Sequence, residues 1–191
     1  MPAAMLMTSV DWYGPFDSLS SARIQSQKSG VEEFLFFAIS ADGKDRSYVG
    51  LSSNVMGRLT ESHHVLGGLD EGAIDLWIGL ITSQSEPGRR PADSYVSHST
   101  ALHIAEHVIA YFLETTENVR KRRSRPQRSA AVFSRWFRPT PPWTRHARRA
   151  HPNWPDFIEF DAQEKLARLV WFGGTMVKYD DDQIEGLKRE A

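Results

Sequence analysis

The chain has 191 residues with a net charge of −1, and its 40% hydrophobic and 25% charged residues are typical of a folded globular protein, not of a disordered or collagen-like one. The absence of cysteine excludes disulfide bonds, a thiolate nucleophile and a cysteine zinc site. No apolar run approaches the ~18 residues that a membrane-spanning helix needs, and the first residues lack the basic stretch of a signal peptide, so we expect a cytoplasmic protein without membrane contact.

Short strands and helices alternate along the first two thirds of the chain. An Asp-Ser cap followed by Gly30 predicts a short helix over residues 18–28. Two apolar runs, residues 33–40 and 46–50, flank an Asp-Gly turn and indicate a β-hairpin. The other predicted elements are a helix over 55–63, a buried strand over 73–82 and an apolar helix over 101–113. These patterns predict an α/β (α+β) fold with a small, mainly antiparallel three-stranded sheet flanked by helices.

The last third of the chain contains a strongly basic segment. Between Arg120 and Arg149 lie eleven basic residues and no acidic one, so this segment carries +11 against −12 for the rest of the chain. Ten of the eleven are arginines, whose forked guanidinium groups suit phosphate oxygens. The segregation favours a nucleic-acid partner over the alternative of a solvated basic linker.

Prolines and tryptophans alternate in the same segment, and a hairpin pattern follows it. The prolines argue against a long regular element, whereas the tryptophans indicate that the segment docks on the protein. Residues 156–161 and 166–172 predict a terminal hairpin, with a helix over 163–171 as the alternative. The predicted organisation has three parts: an N-terminal helical cover (1–30), an α/β domain (31–119), and a basic Trp-rich arm with the C-terminal hairpin, packed on the same domain (120–191).

A specific spacing of residues runs through the predicted α/β domain. Leu35-Phe36-Phe37 is followed after ten residues by Tyr48-Val49-Gly50, and Arg58 lies ten residues beyond the tyrosine. Glu106, on a later predicted helix, precedes Asn118 by twelve residues. This pattern resembles the GIY-YIG nuclease superfamily. The resemblance implies an endonuclease that requires Mg²⁺ or Mn²⁺ and cleaves nucleic acid, with DNA favoured over RNA.

The resemblance implies a catalytic role for four residues. Hydrolysis of a phosphodiester needs a cation at the phosphate, a group that activates water, and compensation of the developing charge. Glu106 would bind the metal, since Mg²⁺ needs only one carboxylate, and Arg58 would stabilise the phosphate. Tyr48 would act as the base or position the water, provided that its pKa is lowered. His63 is the fourth candidate, with His64 as the alternative, because the family motif places its residue one position earlier.

The main departure from the family pattern is Phe37, which has no proton to exchange. We place Phe37 and Asn118 among the substrate-binding residues, although Asn118 also suits the turn after a helix. The basic segment adds four further candidates for substrate binding: Arg120, Arg122, Arg123 and Arg125. The sequence predicts a live nuclease that uses Tyr48, with a catalytically degenerate nucleic-acid-binding module of the same fold as the alternative.

A second motif lies on the same predicted helix and supports a remote alternative. His103-Ile104-Ala105-Glu106-His107 spells H-x-x-E-H, a zinc metallopeptidase signature that needs a third ligand, for which Glu185 is the only candidate at a suggestive distance. This alternative leaves the basic segment unexplained. For the binding module, Trp136 and Trp143 could stack on unpaired bases, and burial in the core is the alternative for both.

Overall fold

The computed structural model describes residues 5–29, 33–40, 46–60, 62–68, 74–85, 99–146 and 149–187. The predicted Asp-Gly turn and Arg148 lie outside these residues. The strands are β1 (Leu6–Phe16), β2 (Phe34–Ser40), β3 (Ser47–Ser52), β4 (Ile74–Ser85), β5 (Ala130–Phe137), β6 (Phe157–Asp161), β7 (Leu166–Trp171) and β8 (Thr175–Tyr179). The α-helices are α1 (Leu19–Ser29), α2 (Val55–Arg58), α3 (Ser99–Phe112), α4 (Val119–Arg123) and α5 (Asp181–Gly186). Among the described helices, none is long and apolar enough to cross a membrane.

The eight described strands form one mixed sheet in the order β3-β2-β4-β1-β5-β6-β7-β8. Every neighbouring pair is antiparallel except β1 and β5, which run parallel. The prediction of a small three-stranded sheet flanked by helices is therefore wrong. The three predicted strands correspond to β2, β3 and β4, which lie side by side at one end of the larger sheet.

Two central strands explain the difference. β1 lies in the segment predicted only as a helical cover, and the buried polar residues Thr8 and Asp11 interrupt its apolar pattern. β5 lies in the predicted basic arm, but Pro126 and Pro139 stand outside the strand, so no proline removes a hydrogen bond from its ladders. The predicted N-terminal helix is present as α1, and β6 pairs with β7 as the predicted terminal hairpin, which excludes the helix alternative.

Hydrophobic clusters cover both faces of the sheet. On one face, α3 packs against a cluster that includes Val10, Trp12, Leu35, Phe37, Val49 and Trp136. On the other face, residues of α1 and of the segment after α2 pack in a cluster that includes Phe34, Phe36, Ala38, Tyr48, Leu59 and Leu66. Because successive side chains of a strand point to opposite faces, this alternation decides which of the predicted residues can share a site.

Candidate active site at strand β3

Tyr48 lies in β3, the strand at one edge of the sheet. It pairs with Ala38 of β2 and packs beside Phe36, with the two ring centroids 5.6 Å apart. Gly50 permits this packing, because a Cβ on Gly50 would lie 2.4 Å from the Phe36 ring. Tyr48 is only 6% exposed. Its side chain is therefore held in one position by the hairpin.

Arg58 is the last residue of α2, the short helix that follows β3. Asn54 begins this helix, since its Oδ1 accepts a hydrogen bond from the Gly57 N–H at 3.0 Å. The Arg58 guanidinium lies beside the Tyr48 hydroxyl, where its positive charge opposes the rise in the Tyr48 pKa. The Nε of Arg58 is buried and has no hydrogen-bond partner in the described part of the chain. One buried donor beside Tyr48 is thus left for an additional acceptor.

His63 packs against Tyr48, with ring centroids 5.5 Å apart. Its Nδ1 accepts hydrogen bonds from the backbone N–H groups of Val65 and Leu66, both at 3.2 Å. In the neutral ring the proton therefore sits on Nε2. Nε2 is buried and also has no hydrogen-bond partner among the described residues. His63 consequently presents a second unpaired N–H donor in this region.

The protonation state of His63 follows from its surroundings. Burial, together with the positive charges of Arg58 and His64, lowers the pKa of His63 to about 4. The ring is therefore neutral at physiological pH and serves as a hydrogen-bond donor through Nε2. His64 stacks on His63 with ring centroids 4.6 Å apart but is exposed. Of the two alternatives, His63 is the residue buried against Tyr48.

Glu106 approaches the same region from α3. It is 4% exposed, and its carboxylate forms an ion pair with the ammonium group of Lys121 in α4. Burial raises the pKa of Tyr48, the charge of Arg58 opposes this, and the charge of Glu106 raises the pKa further. Glu106 therefore lies near enough to act electrostatically on Tyr48. Tyr48, Arg58 and His63 therefore lie side by side, and the charge of Glu106 reaches Tyr48 from α3.

Asn118 links the segment after α3 to strand β3 through its side-chain amide. Its Oδ1 accepts hydrogen bonds from the Val49 N–H at 2.8 Å and from the Thr115 hydroxyl at 2.7 Å, and its Nδ2 donates to the Val49 carbonyl at 2.7 Å. The side chain is buried and fully engaged. The contact fastens the segment between α3 and α4 to β3, which brings Lys121 to Glu106.

The basic segment is not a separate arm. Arg125, predicted to bind substrate, donates to Asp181 at 2.6 Å and lies over the Phe160 ring, so it is part of the internal packing. Arg135 and Arg149 are paired with acidic residues in the same way. Arg120 and Arg123 are exposed on α4, without an ion pair to any described residue, and remain candidates to meet phosphates. Arg122 is partly buried, and its Nε has no hydrogen-bond partner among the described residues.

Phe37 does not belong to the cluster around Tyr48. It is fully buried on the opposite face of the sheet, where its ring lies 3.9 Å from that of Trp154 and 6.0 Å from that of Trp12. The structure therefore does not bring Phe37 together with the other predicted site residues. Trp136 is likewise buried, whereas Trp143 is exposed.

The H-x-x-E-H residues do not form a zinc site. His107 hydrogen-bonds the Ser124 carbonyl through Nε2 at 2.6 Å, and His103 is exposed. Glu106 pairs with Lys121, and Glu185 lies within 3.4 Å of Arg125. In the described ranges no group of three or more His, Asp and Glu side chains could hold a metal ion. The arrangement gives no support to the peptidase alternative.

No family model, curated protein or solved structure matches the chain. A functional assignment therefore depends on the residues of the site. The one member of the site that sequence reasoning missed is Lys121. Residue type gave no signal for this contact, because arginine is the more common partner of a buried carboxylate.

The lowered pKa of His63 gives a pH-dependent contribution to stability. Because the folded-state pKa of about 4 lies below the ordinary 6.5, the unfolded chain takes up a proton first on acidification. We therefore expect the free energy of unfolding to fall between pH 6.5 and 4, and His63→Asn to weaken this dependence. Urea denaturation at pH 7 and pH 5 measures it, with His103→Asn, at an exposed position, as the matched control. An identical pH dependence in wild type and His63→Asn would contradict the assignment.

Proposed function

We propose that the protein is a metal-dependent endonuclease that hydrolyses phosphodiester bonds in nucleic acid, with DNA favoured over RNA, and that it acts in the cytoplasm. The observation that carries this proposal is the convergence of Tyr48, Arg58 and Glu106 beside β3. Tyr48 and Arg58 come from a strand and the short helix after it, and Glu106 comes from a long helix far along the chain. A packing role alone does not require an arginine and a glutamate whose charges both act on one buried tyrosine.

The unpaired donors of this cluster suit a phosphate. The Nε of Arg58 and the Nε2 of His63 are buried N–H donors without described partners. Buried donors that lack partners are rare in folded proteins, and an anionic phosphate oxygen would satisfy both. In this proposal Arg58 and His63 bind the scissile phosphate and stabilise the charge that develops during hydrolysis.

Tyr48 is assigned to positioning the water and not to removing its proton. Burial raises the pKa of Tyr48 above its usual value of 10, despite the opposing charge of Arg58. The hydroxyl therefore keeps its proton at physiological pH and can both accept from Arg58 and donate to a water or phosphate oxygen. The condition under which Tyr48 could serve as a base, a lowered pKa, is not met by the residues around it.

The donor set fits Mg²⁺ or Mn²⁺ under one condition. Mg²⁺ is commonly held by one or two carboxylates and takes its other ligands from water and substrate phosphates, so Glu106 alone could hold it. Lys121 now pairs with Oε2 of Glu106 and would have to withdraw. Phosphates of a bound strand offer the ammonium group of Lys121 an alternative partner. When bound, the metal would polarise the phosphate and lower the pKa of the attacking water.

The same ion pair favours a second candidate function. If Lys121 stays on Glu106 permanently, the carboxylate is neutralised and cannot hold a divalent cation. The protein would then bind nucleic acid through Arg58, His63 and the exposed arginines of α4 without cleaving it. This is the catalytically degenerate binding module.

A cleavage assay with the wild-type protein separates the two. We expect Mg²⁺ or Mn²⁺ to support strand cleavage of at least one form among supercoiled, linear, single-stranded and branched DNA and structured RNA, and EDTA to stop it. Gel electrophoresis measures the products, and binding to the same probes is measured in EDTA. Binding without cleavage of any probe in either metal would replace the nuclease with the binding module.

A further inference from the structure

A cleft separate from the Tyr48 cluster lies between α1 and the loop that follows β5. It has a volume of about 570 Å³, within the range of small-molecule sites. Two of its lining residues, Phe16 and Ile78, belong to the same hydrophobic cluster as Tyr48, so the cleft and the candidate active site share one face of the sheet. The walls are mostly aromatic and proline side chains: Tyr13, Phe16, Pro139, Pro141 and Trp143.

The loop after β5 holds Trp143 half-exposed at this cleft. The Trp143 N–H bonds the Thr140 carbonyl and the Arg138 N–H bonds the Thr144 carbonyl, both at 3.0 Å. His146 ties the end of the loop to Gly14, with Nε2 and the carbonyl oxygen 2.8 Å apart. Trp143 itself has a φ of 46°, a left-handed conformation that is costly for a bulky side chain, and it is 47% exposed. The fold therefore holds the Trp143 indole at the surface even though its backbone conformation is unfavourable.

The residues that line the cleft suit a planar aromatic ring that carries hydrogen-bonding groups on its edge. Tyr13 stacks on Phe137 with ring centroids 5.4 Å apart and an interplanar angle of 23°, which creates an aromatic wall. The Gln25 amide on the α1 side makes no hydrogen bond to a described residue and can meet the polar edge of a ring. Arg138 and Arg145 flank the loop, are exposed and form no ion pair with a described residue. Aromatic walls, a free amide and adjacent arginines together match a nucleobase attached to a phosphate.

We propose that this cleft binds an unpaired nucleobase of a nucleic-acid strand, with Trp143 stacking on the base and Arg138 and Arg145 meeting its phosphates. The inference rests on the proposed nucleic-acid substrate and adds a specificity for single-stranded or locally unpaired regions. A base stacks on any aromatic face, so the site reads the absence of pairing and not the sequence.

Binding of short single strands in EDTA tests the proposal independently of cleavage. Fluorescence anisotropy compares a labelled ten-nucleotide dT strand with a ten-nucleotide abasic strand of the same charge. The wild type should bind the dT strand more tightly, and Trp143→Ala should weaken that binding about tenfold or more while leaving the abasic strand unaffected. Trp143→Phe should restore most of the affinity for the dT strand. Leu166→Ala, an exposed apolar residue on β7, is the matched control and should change neither.

Each outcome decides the matter. The base-binding cleft would be overturned if the wild type bound the dT and abasic strands with equal affinity or did not bind the dT strand. It would also be overturned if Trp143→Ala bound the dT strand as tightly as the wild type. If the dT strand is bound no better than the abasic strand while the wild type still cleaves DNA, the proposed nuclease stands and this inference fails. Trp143-dependent binding without any cleavage would leave the inference intact while the nuclease fails.

Discussion

Glu106→Gln is expected to abolish metal-dependent cleavage while leaving nucleic-acid binding intact. Glutamine keeps the size of the side chain but removes the negative charge that a divalent cation requires. Loss of the metal's charge stabilisation is worth several kcal/mol in the transition state, on the order of 10³-fold in rate. Cleavage of the best substrate under single-turnover conditions measures the loss, and Mn²⁺ binding to the free protein gives a readout that does not depend on activity.

The fold should tolerate this substitution. Lys121 is one-third exposed, so its ammonium group can remain solvated when Glu106 no longer pairs with it. Glu117→Gln is the matched control, because Glu117 also forms an ion pair, with Arg46 at 2.8 Å. It should bind Mn²⁺ and cleave like the wild type. If Glu106→Gln cleaved with the same dependence on metal concentration as the wild type, Glu106 would not be the metal ligand.

Tyr48→Phe should lower the cleavage rate by about 10²-fold, the order of loss when a reacting group is no longer held in its productive position. Phenylalanine fills the same buried space against Phe36, so stability and binding should change little. The substitution removes the hydroxyl that Arg58 contacts and thereby the group that orients the water.

The pH dependence distinguishes positioning from base catalysis. Since burial raises the Tyr48 pKa, the phenol stays protonated across pH 6–9. The residual activity of Tyr48→Phe should therefore show the same pH profile as the wild type, at a lower level. A wild-type rate that rises with pH up to the Tyr48 pKa, with this rise absent in the variant, would identify Tyr48 as the base instead. Tyr179→Phe is the matched control, because burial also raises the pKa of Tyr179, on the distant strand β8.

Elements with uninterrupted local patterns were predictable from the sequence. The apolar runs of β2 and β4, the apolar face of α3 and the β6–β7 hairpin all appear close to the predicted positions. β1 and β5 were not recognised, because they are central strands with buried polar or arginine side chains that a local pattern scores as loop. Asp11 and Arg135 form an ion pair between these two strands, with Nε and Oδ1 2.6 Å apart. This pairing offsets the cost of placing two charged side chains in the centre of the sheet.

Motif spacing could select candidate residues and place them on predicted elements. It could not show which of their side chains face the same side of the sheet, because tertiary packing decides that. Motif spacing selected Tyr48, Arg58 and Glu106, and their role in a site stays a prediction. The structure does not bring Phe37 to the Tyr48 cluster, because Tyr48 pairs with Ala38 and Phe37 lies on the other face of the sheet. Asn118 was expected near substrate, yet both polar atoms of its side-chain amide hydrogen-bond the backbone of β3. Such tertiary pairings leave no local signal in a single sequence.

The attachment of the α3–α4 segment to β3 also protects one edge of the sheet. Outer strands of a sheet are prone to pairing with other molecules, which leads to aggregation. The Asn118 side chain bonds the backbone N–H and carbonyl of Val49, and Thr116 and Glu117 bond those of Ser47. These edge groups of β3 are therefore already satisfied within the chain. No comparable cover from the described residues lies along β8, where Lys178 supplies a protective charge. Of the two outer strands, β3 is therefore covered by its own chain, and β8, at the far end of the sheet from the candidate active site, relies on charge for protection.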